Sequence, residues 1–442
     1  MTPIRKVSVA VLSWNGRSHL ETCLAALAGQ EDPGVEWEVL VLDNGSTDGT
    51  AAWMRERWGR EPRVRLVESP VNLGFCAGNN RLVAAADADA VALLNNDTRP
   101  EPGWLGSLVE ALASAPADVA AVSGKIVDWA GERLDFGRGV MTFDGHAFQL
   151  DFRRPLAAAR LPAAGEELPF ACGGNLLVRR ASFLAAGGFD ESYFAYLEDV
   201  DLGWRLWSGG ERIVFAPGAV AHHRSSATSD LLGLYNRGFL FERNAFLTAY
   251  KNYEPDLWER IMPAVMLTLT SRTQALLESN PGAEILRVDP YAGHVANTAT
   301  NGAGNGPAPD ELPPATTWEG FKIRWRGYGP RELFRRGLRK LGIGTASSSA
   351  SGALQVDDER SIAQLRALHW LFGHLDAAAQ ARAAVQCRRQ RSDRDLFERF
   401  PLYLVPTYPG DQALFASPGF QAWLPKELPI IEAKLEEIME IG

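Results

Sequence analysis

The first hundred residues alternate between short apolar runs of strand length and helical patterns, and this rhythm limits the fold more than any other feature. Val7–Leu12 is a continuous apolar run, a helical pattern follows from Leu20 to Ala28, and a second run, Glu38–Leu42, ends in Asp-Asn-Gly. That is a βαβ unit. The pattern repeats with a helix near Thr50–Trp58, a strand near Val64–Glu68, a helix near Ala77–Ala86 and a strand at Ala90–Leu94. Strands that alternate with helices predict a parallel sheet whose ligand crevice lies beyond the strand carboxyl ends. Each of those ends carries polar residues here.

The rhythm then changes. Between Gly124 and Leu168 periodicity weakens, which predicts a loop-rich or antiparallel insertion. Ala181–Gly187 and Asp199–Trp207 read as short helices, followed by longer helical segments from Leu234 to Tyr250 and on to Leu277. Asp289–Thr317 is rich in Gly, Pro, Asn and Ala, as is Gly344–Ala353 in Ser and Gly, so both read as linkers or loops. Ile362, Leu365, Leu368, Leu371 and Leu375 return to helical spacing. The chain is 442 residues long, beyond one ordinary core of roughly 100 to 200 residues, so an appended unit is expected. The expected division is a catalytic domain over 1–253, a helical extension over 254–288, a linker over 289–317 and a mainly helical accessory region over 318–442.

Composition removes several function classes. A hydrophobic content of 46% with 13 Trp and 20 Phe supports a globular protein. The net charge of -9 argues against a general nucleic-acid binder, so any anion site must be local. Cys23, Cys76, Cys172 and Cys387 lack CxxC spacing, which indicates neither a zinc site nor a disulfide framework and fits a reducing cytoplasm. The amino terminus reads as a first strand and not as a signal peptide. The longest apolar stretch, Ile261–Leu269, contains Pro263 and is too short to span a bilayer, so a soluble or peripheral protein is expected.

Four segments carry chemistry. VLDNGSTDGT (41–50) ends a strand in Asp43, whose carboxylate can accept from a nucleobase N–H and ribose hydroxyls; an ordinary capped turn would use the same residues. NLGFCAGNN (72–80) offers Gly74 and Gly78 for close backbone approach and Asn72 and Asn79 for polar contact. VALLNNDT (91–98) delivers Asn95, Asn96 and Asp97 to the crevice, where a divalent cation bridging phosphates needs hard oxygen ligands. CGGNLLVRR (172–180) and GGFDESYFAYLEDVDLGWRLWSGG (187–210) bring Glu198, Asp199 and Asp201 to a helix start, where acids also favour the macrodipole; Leu202, Leu206 and Trp204 could anchor that helix. His222 and His223 end a later strand-like run.

This ordered set, over residues 7 to 253 and including RNAFLTAYKNY (243–253), resembles the inverting family-2 glycosyltransferases of GT-A fold, close to their bacterial rhamnosyltransferase-like branch. The resemblance implies an α/β Rossmann-like mixed sheet flanked by helices; residues 280–442 fall outside it, and helical spacing there predicts a mainly helical C-terminal extension. It makes Asp199 the catalytic base, and Asp97 and His223 the ligands of Mn2+ or Mg2+, with His222 the alternative register. Asp43 would bind the base of the nucleotide sugar, on a surface shared with Ser13, Asn15, Asn44, Ser46, Asn72, Gly74, Asn79 and Asn96. Gly173, Gly174, Asn175, Glu198, Trp204 and Arg205 would form the acceptor or sugar surface. The implied partners are a nucleotide diphosphate sugar, dTDP-rhamnose foremost, and a glycan or lipid-linked acceptor in cell-surface polysaccharide synthesis. Two departures stand out: Asn95 opens the DXD-like site where the pattern has Asp, and Cys172 replaces a small residue before Gly173-Gly174-Asn175.

The alternatives are an inactive nucleotide-binding scaffold and a nucleotidyltransferase, the latter needing a glycine-rich basic triphosphate loop of which SWNGRSHL is a poor version. One more segment stands apart. Residues 321–340 hold eight Lys or Arg against the single acid Glu332, interleaved with Trp325, Tyr328 and Phe334. It predicts either peripheral contact with an anionic membrane at its cytoplasmic face or packing against the acidic catalytic domain.

Overall fold

The computed structural model describes residues 3–224, 233–277, 359–408 and 410–440. The linker 289–317, the segment Gly344–Ala353 and the basic segment 321–340 lie outside the described residues.

The expected rhythm is present. β1 (Lys6–Ser13), α1 (Arg17–Ala28), β2 (Glu36–Asn44), α2 (Thr50–Trp58), β3 (Val64–Ser69), α3 (Gly74–Ala85) and β4 (Ala90–Asn95) form a parallel unit ordered β3-β2-β1-β4. Central strands buried on both faces explain the unbroken apolar runs of β1 and β4. β5 (Thr98–Pro100), α4 (Trp104–Ser114), β6 (Val119–Asp128) and β7 (Leu134–Phe136) follow, then a hairpin of β8 (Arg138–Met141) and β9 (Ala147–Leu150). β10 (Asn175–Arg179) inserts antiparallel between β4 and β6, α5 spans Arg180–Ala185, α6 spans Glu198–Ser208, and β11 (Arg212–His223) runs parallel to β6. The result is a mixed sheet, β3-β2-β1-β4-β10-β6-β11-β5, with β7 on β6. The weakly periodic stretch is thus antiparallel hairpins, not loop alone.

One register decides the chemistry. β5, which begins immediately after the Asn95-Asn96-Asp97 turn, pairs antiparallel with the end of β11, so that His223 lies opposite Thr98 and His222 opposite Arg99. Successive side chains on a strand point to opposite faces, and only one of the two histidines can look toward Asp97. A register shift between Ala216 and Val220, at Pro217-Gly218, lets β11 stay paired with β6 along its length.

Beyond the sheet come α7 (Gly233–Asn252) and α8 (Pro255–Leu277), then α9 (Glu359–Gly373), α10 (Leu375–Arg388), α11 (Asp393–Arg399) and a parallel pair, β12 (Leu402–Leu404) with β13 (Ile430–Glu432). One face of the sheet packs under α1, α2 and α4. On the other face a single cluster runs from Leu93 and Val178 through Trp204, Trp207 and Tyr253 to Leu396, Phe397, Phe415 and Phe420. The C-terminal helices therefore share one core with the acidic helix α6.

Candidate active site

On the first half of the sheet, the polar side chains mostly join loops to each other. Asn44 donates to the Asn72 side chain at 2.9 Å and accepts from the Leu73 N–H at 2.9 Å, while Asn72 also accepts from the Gly74 N–H at 2.9 Å. The Asn15 N–H donates to Ser46 Oγ at 2.9 Å, and the Asn15 side chain accepts from the Thr47 N–H at 2.8 Å. Asn96 donates to Ser13 Oγ at 3.0 Å. Gly45 makes this approach possible: at φ 77° a Cβ there would lie 2.5 Å from the Val71 carbonyl carbon. Asp43 is buried at the floor of these loops, and burial raises its carboxyl despite the hydrogen bonds from Ser46.

Two expectations change on this side. Asn79 is 2% exposed and donates to Phe75 O within its own helix at 2.9 Å, so its amide is turned away from any ligand. Asn44 is 1% exposed and fully occupied as the tie between loops. Both hold the crevice in shape and do not line it.

At the next strand end, Nε2 of His223 stands 3.2 Å from Asp97 and its Nδ1 stands 2.7 Å from Asp135. Burial lowers the imidazole, but the hydrogen bonds with Asp135 and Asp97 outweigh it and push it up to about 10. Burial raises Asp97, but the contacts with His223 outweigh it and bring the carboxyl below its usual range. His222 faces Glu101 instead, at 3.3 Å. Asp135 was not evident from sequence: it is one acid in an unremarkable ERLDF, and only the antiparallel β6–β7 pairing carries it to the end of β11.

This donor set fits a divalent cation. Asp135 occupies Nδ1 and thereby aims Nε2 at Asp97, the arrangement of a carboxylate that orients a metal-ligating histidine. The described residues bring together no group of three or more such ligands, so two protein ligands would hold the ion and leave its other positions to phosphate oxygens and water.

The acids of α6 have three different fates. Asp199 is partly exposed, its two oxygens receiving the Gly173 N–H at 3.0 Å and the Val200 N–H at 2.9 Å; burial raises its carboxyl and these bonds restrain the rise. Glu198 is 7% exposed with Oε2 unpartnered; burial, then the charge of Asp199, raise its carboxyl well above the ordinary value. Asp201 is 0% exposed and meets Arg205 at 2.8 Å, Lys251 at 3.0 Å and Asn252 at 2.9 Å. Burial raises Asp201, yet those cations outweigh it and hold the carboxyl below its usual range.

The loop that presents these acids is strained. Phe194, Tyr196 and Leu197 all adopt positive φ, at 63°, 70° and 64°, a conformation that costs about 1–3 kcal/mol per non-glycine residue unless its surroundings enforce it. Here α7 enforces it. The Asn244 amide donates to the carbonyls of Tyr193, Ala195 and Tyr196 at 3.1, 2.8 and 2.7 Å, and Arg243 reaches Tyr193 O at 2.8 Å. Arg243, Asn244, Lys251 and Asn252, all within RNAFLTAYKNY, were missed as site residues because their signal is that of any amphipathic helix.

Three expected acceptor residues prove structural. Trp204 has no exposed surface, Arg205 is bound to Asp201, Ala186 O and Gly188 O, and Asn175 ties Trp104, Lys125 and Ala219 together. Trp204 and Asn175 have no surface to offer a sugar, and the Arg205 guanidinium is taken up by bonds within the fold. Gly173 and Gly174 remain at the centre, Gly173 toward Asp199 and Gly174 against the Asn95 side chain, where a Cβ would lie 2.7 Å from the amide. Cys172 is an inert thiol there, raised far by burial and then by Asp199. Beside His223 lies a cavity of about 480 Å³ lined by Trp129, Arg133, Asp135, Phe152, Arg153 and Arg224, among others. In it the Arg224 guanidinium covers Trp129 at 4.1 Å and that of Arg153 covers Phe152 at 5.2 Å.

Residues 8–185 match the family described as glycosyl transferase family 2. The N-acetylglucosaminyl-diphospho-decaprenol L-rhamnosyltransferase of Mycobacterium tuberculosis is 35% identical over 244 residues, which is 50% of this chain and 76% of that protein. An O-antigen biosynthesis protein of Myxococcus xanthus is 31% identical over 240 residues, 51% of this chain and 18% of that one. A crystal structure of GalNAc-T7 with UDP, GalNAc and Mn2+ aligns with 60% of this chain and 52% of its own, at TM-score 0.46 and 12% identity.

Proposed function

The chain belongs to glycosyl transferase family 2, and from that premise we propose that it moves a sugar, rhamnose from dTDP-rhamnose foremost, onto a hydroxyl of a glycan or lipid-linked acceptor in cell-surface polysaccharide synthesis, with inversion at the anomeric carbon. It is a glycosyltransferase enzyme with the GT-A mixed sheet. One observation carries the rest. Gly173 and Gly174 join the two chemical centres, since the first holds Asp199 and the second packs on the turn that ends in Asp97.

An acceptor hydroxyl is a poor nucleophile at neutral pH and must lose its proton as it attacks. Asp199 takes that proton at whichever carboxylate oxygen faces the acceptor, and its raised carboxyl improves it as a base. Gly173 and Val200 fix the orientation of that carboxylate. Asp97 and His223 would hold a divalent cation, Mn2+ or Mg2+, which neutralises the charge growing on the departing diphosphate. Asp43 binds the nucleobase and the joined loops around Asn15, Ser46 and Asn72 shape its crevice. Glu198, whose Oε2 has no partner within the fold, offers that oxygen to a sugar hydroxyl.

The cavity beside His223 suits an acceptor that bears phosphate, since Arg153 and Arg224 present guanidinium groups laid on aromatic faces. No helix among the described residues is long and apolar enough to cross a membrane. We place the enzyme at the inner face of the plasma membrane, where the basic composition of 321–340 favours anionic headgroups. The test is a thermal-shift and hydrolysis panel of nucleotide sugars with manganese: dTDP-rhamnose should stabilise the protein most and be turned over. If no nucleotide sugar raises Tm and none is consumed, the reading is wrong.

A further inference from the structure

Residues 382–393 close over the far ends of the two helices that set the acidic site. Asp393, the first residue of α11, is fully buried; its Oδ1 accepts from the Trp204 indole N–H at 3.2 Å and its Oδ2 from the Glu254 N–H at 2.6 Å. Arg389 completes the same carboxylate at 3.0 Å. The backbone N–H groups of Gln390 and Arg391 both donate to Ser208 O, the last residue of α6, at 2.7 and 2.9 Å. The last turn of α7 is treated alike. Gln386 donates to the carbonyls of Lys251, Asn252 and Tyr253 at 2.8, 3.3 and 3.1 Å, while Arg389 reaches Asn252 O and Arg382 reaches Tyr250 O.

The final carbonyls of a helix have no partner inside it, and each helix end needs an external donor. Here one short stretch of chain caps both helices at once, and Asp393 adds a directional bond to the side of α6, five residues after Asp199. A buried carboxylate is a costly way to fill a core that an apolar side chain could fill. What an apolar residue cannot do is fix the indole N–H, and with it the roll and axial position of α6. The family match ends at residue 185, so both the helix and what grips it lie beyond it.

We propose that 382–393 is a brace belonging to the catalytic apparatus, and that Asp393 is a positioning residue which, through Trp204, sets Asp199 against Gly173 and the Asp97–His223 pair. The proposal rests on the reading of Asp199 as the base. The cap on α7 serves the same end, because α7 carries Asn244, which enforces the strained loop in front of α6. The C-terminal helices are then not an accessory module.

The test uses the full chain with manganese and the nucleotide sugar it turns over best, water serving as acceptor. Trp204→Phe removes the indole N–H and keeps an aromatic ring; Asp393→Asn keeps the size and alters the acceptor pattern. Each variant should lower kcat by about 10- to 100-fold, the scale on which a shift of about 1 Å in a reacting group acts. Donor KM should stay within about twofold, because the donor is held from the other half of the sheet. The acid limb of the kcat–pH profile, set by Asp199, should move, and the double variant should be no worse than the poorer single one. Near-UV circular dichroism gives the folded fraction at the assay temperature. If Trp204→Phe keeps kcat per folded molecule within about twofold of wild type with an unmoved pH profile, the brace contributes only stability and the proposal falls. That variant decides alone if Asp393→Asn does not fold. A wild-type protein that turns over no nucleotide sugar fails differently, by removing the functional reading itself.

Discussion

The two halves of the sheet solve the same problem in opposite ways. The donor half, β1 to β4 with α1 to α3, is built from neighbours in sequence, and its asparagines bind one loop to the next across about thirty residues, as Asn44 does to Asn72. The acidic half is assembled from afar. Asp199 depends on Gly173, on Asn244 and, through Trp204, on Asp393, which lies 189 residues beyond that tryptophan. The donor crevice is thus a property of local chain geometry. The placement of the proposed base is a property of the whole fold and is open to adjustment from distant sites.

The sharpest way to test this division is Asp199→Asn. It should reduce transfer by about 100- to 10,000-fold, the usual range for loss of a general base, with donor binding by calorimetry unchanged. Retention of more than about a tenth of wild-type turnover would move the base elsewhere and erase the contrast. Next in size are Asp97→Ala and His223→Ala, which should each weaken manganese-dependent binding of the nucleoside diphosphate. Asp135→Ala, which leaves both ligands in place but frees Nδ1, should weaken it by about 10- to 100-fold. His222→Ala should change it least of the four, and the reverse ranking of the histidines would show that the β5–β11 register does not carry the ion.

A smaller effect concerns stability alone. In the β8–β9 hairpin, His146 is bound to Asp144 at 3.2 Å and to Glu242 of α7 at 3.6 Å. Burial lowers this imidazole, but the two carboxylates outweigh it and raise it to about 10, from an ordinary value near 6.5. A group raised on folding lends its full stability below the unfolded value and loses it as pH climbs through the folded one. The protein should therefore lose Tm progressively between about pH 6.5 and 10, and His146→Gln should flatten that decline while costing about 3–5 kcal/mol at neutral pH. Urea unfolding at several pH values reads both. A variant that declines as steeply as wild type would show that the hairpin and α7 are not held together by this charge.

How much could be read in advance follows the same line. Strand ends at Asp43, Asn95 and Asp97 were legible because an apolar run that stops in polar residues states its own geometry. The mixed sheet was legible as a family trait, while the placement of β10 between β4 and β6 needs pairings no local pattern encodes. Asp135 stayed hidden for that reason. Trp204 was open to two readings beside the acids of α6, as an anchor or as a sugar contact, and burial among Tyr253 and Phe397 decides for the anchor. Asn79 and Asn175 misled because an amide that holds a scaffold and one that holds a ligand look alike until its partners are known.

The amide of Asn244 has a consequence for the order in which this enzyme comes into being. A chain emerging from the ribosome presents β1 to β4 and the loops between them within its first hundred residues, ahead of the strands and helices they pack against. The loop before α6 cannot hold its left-handed residues until Asn244 has been synthesised and α7 has packed. The growing chain therefore holds every residue of its proposed donor crevice well before Asn244 is made and its proposed base can be seated.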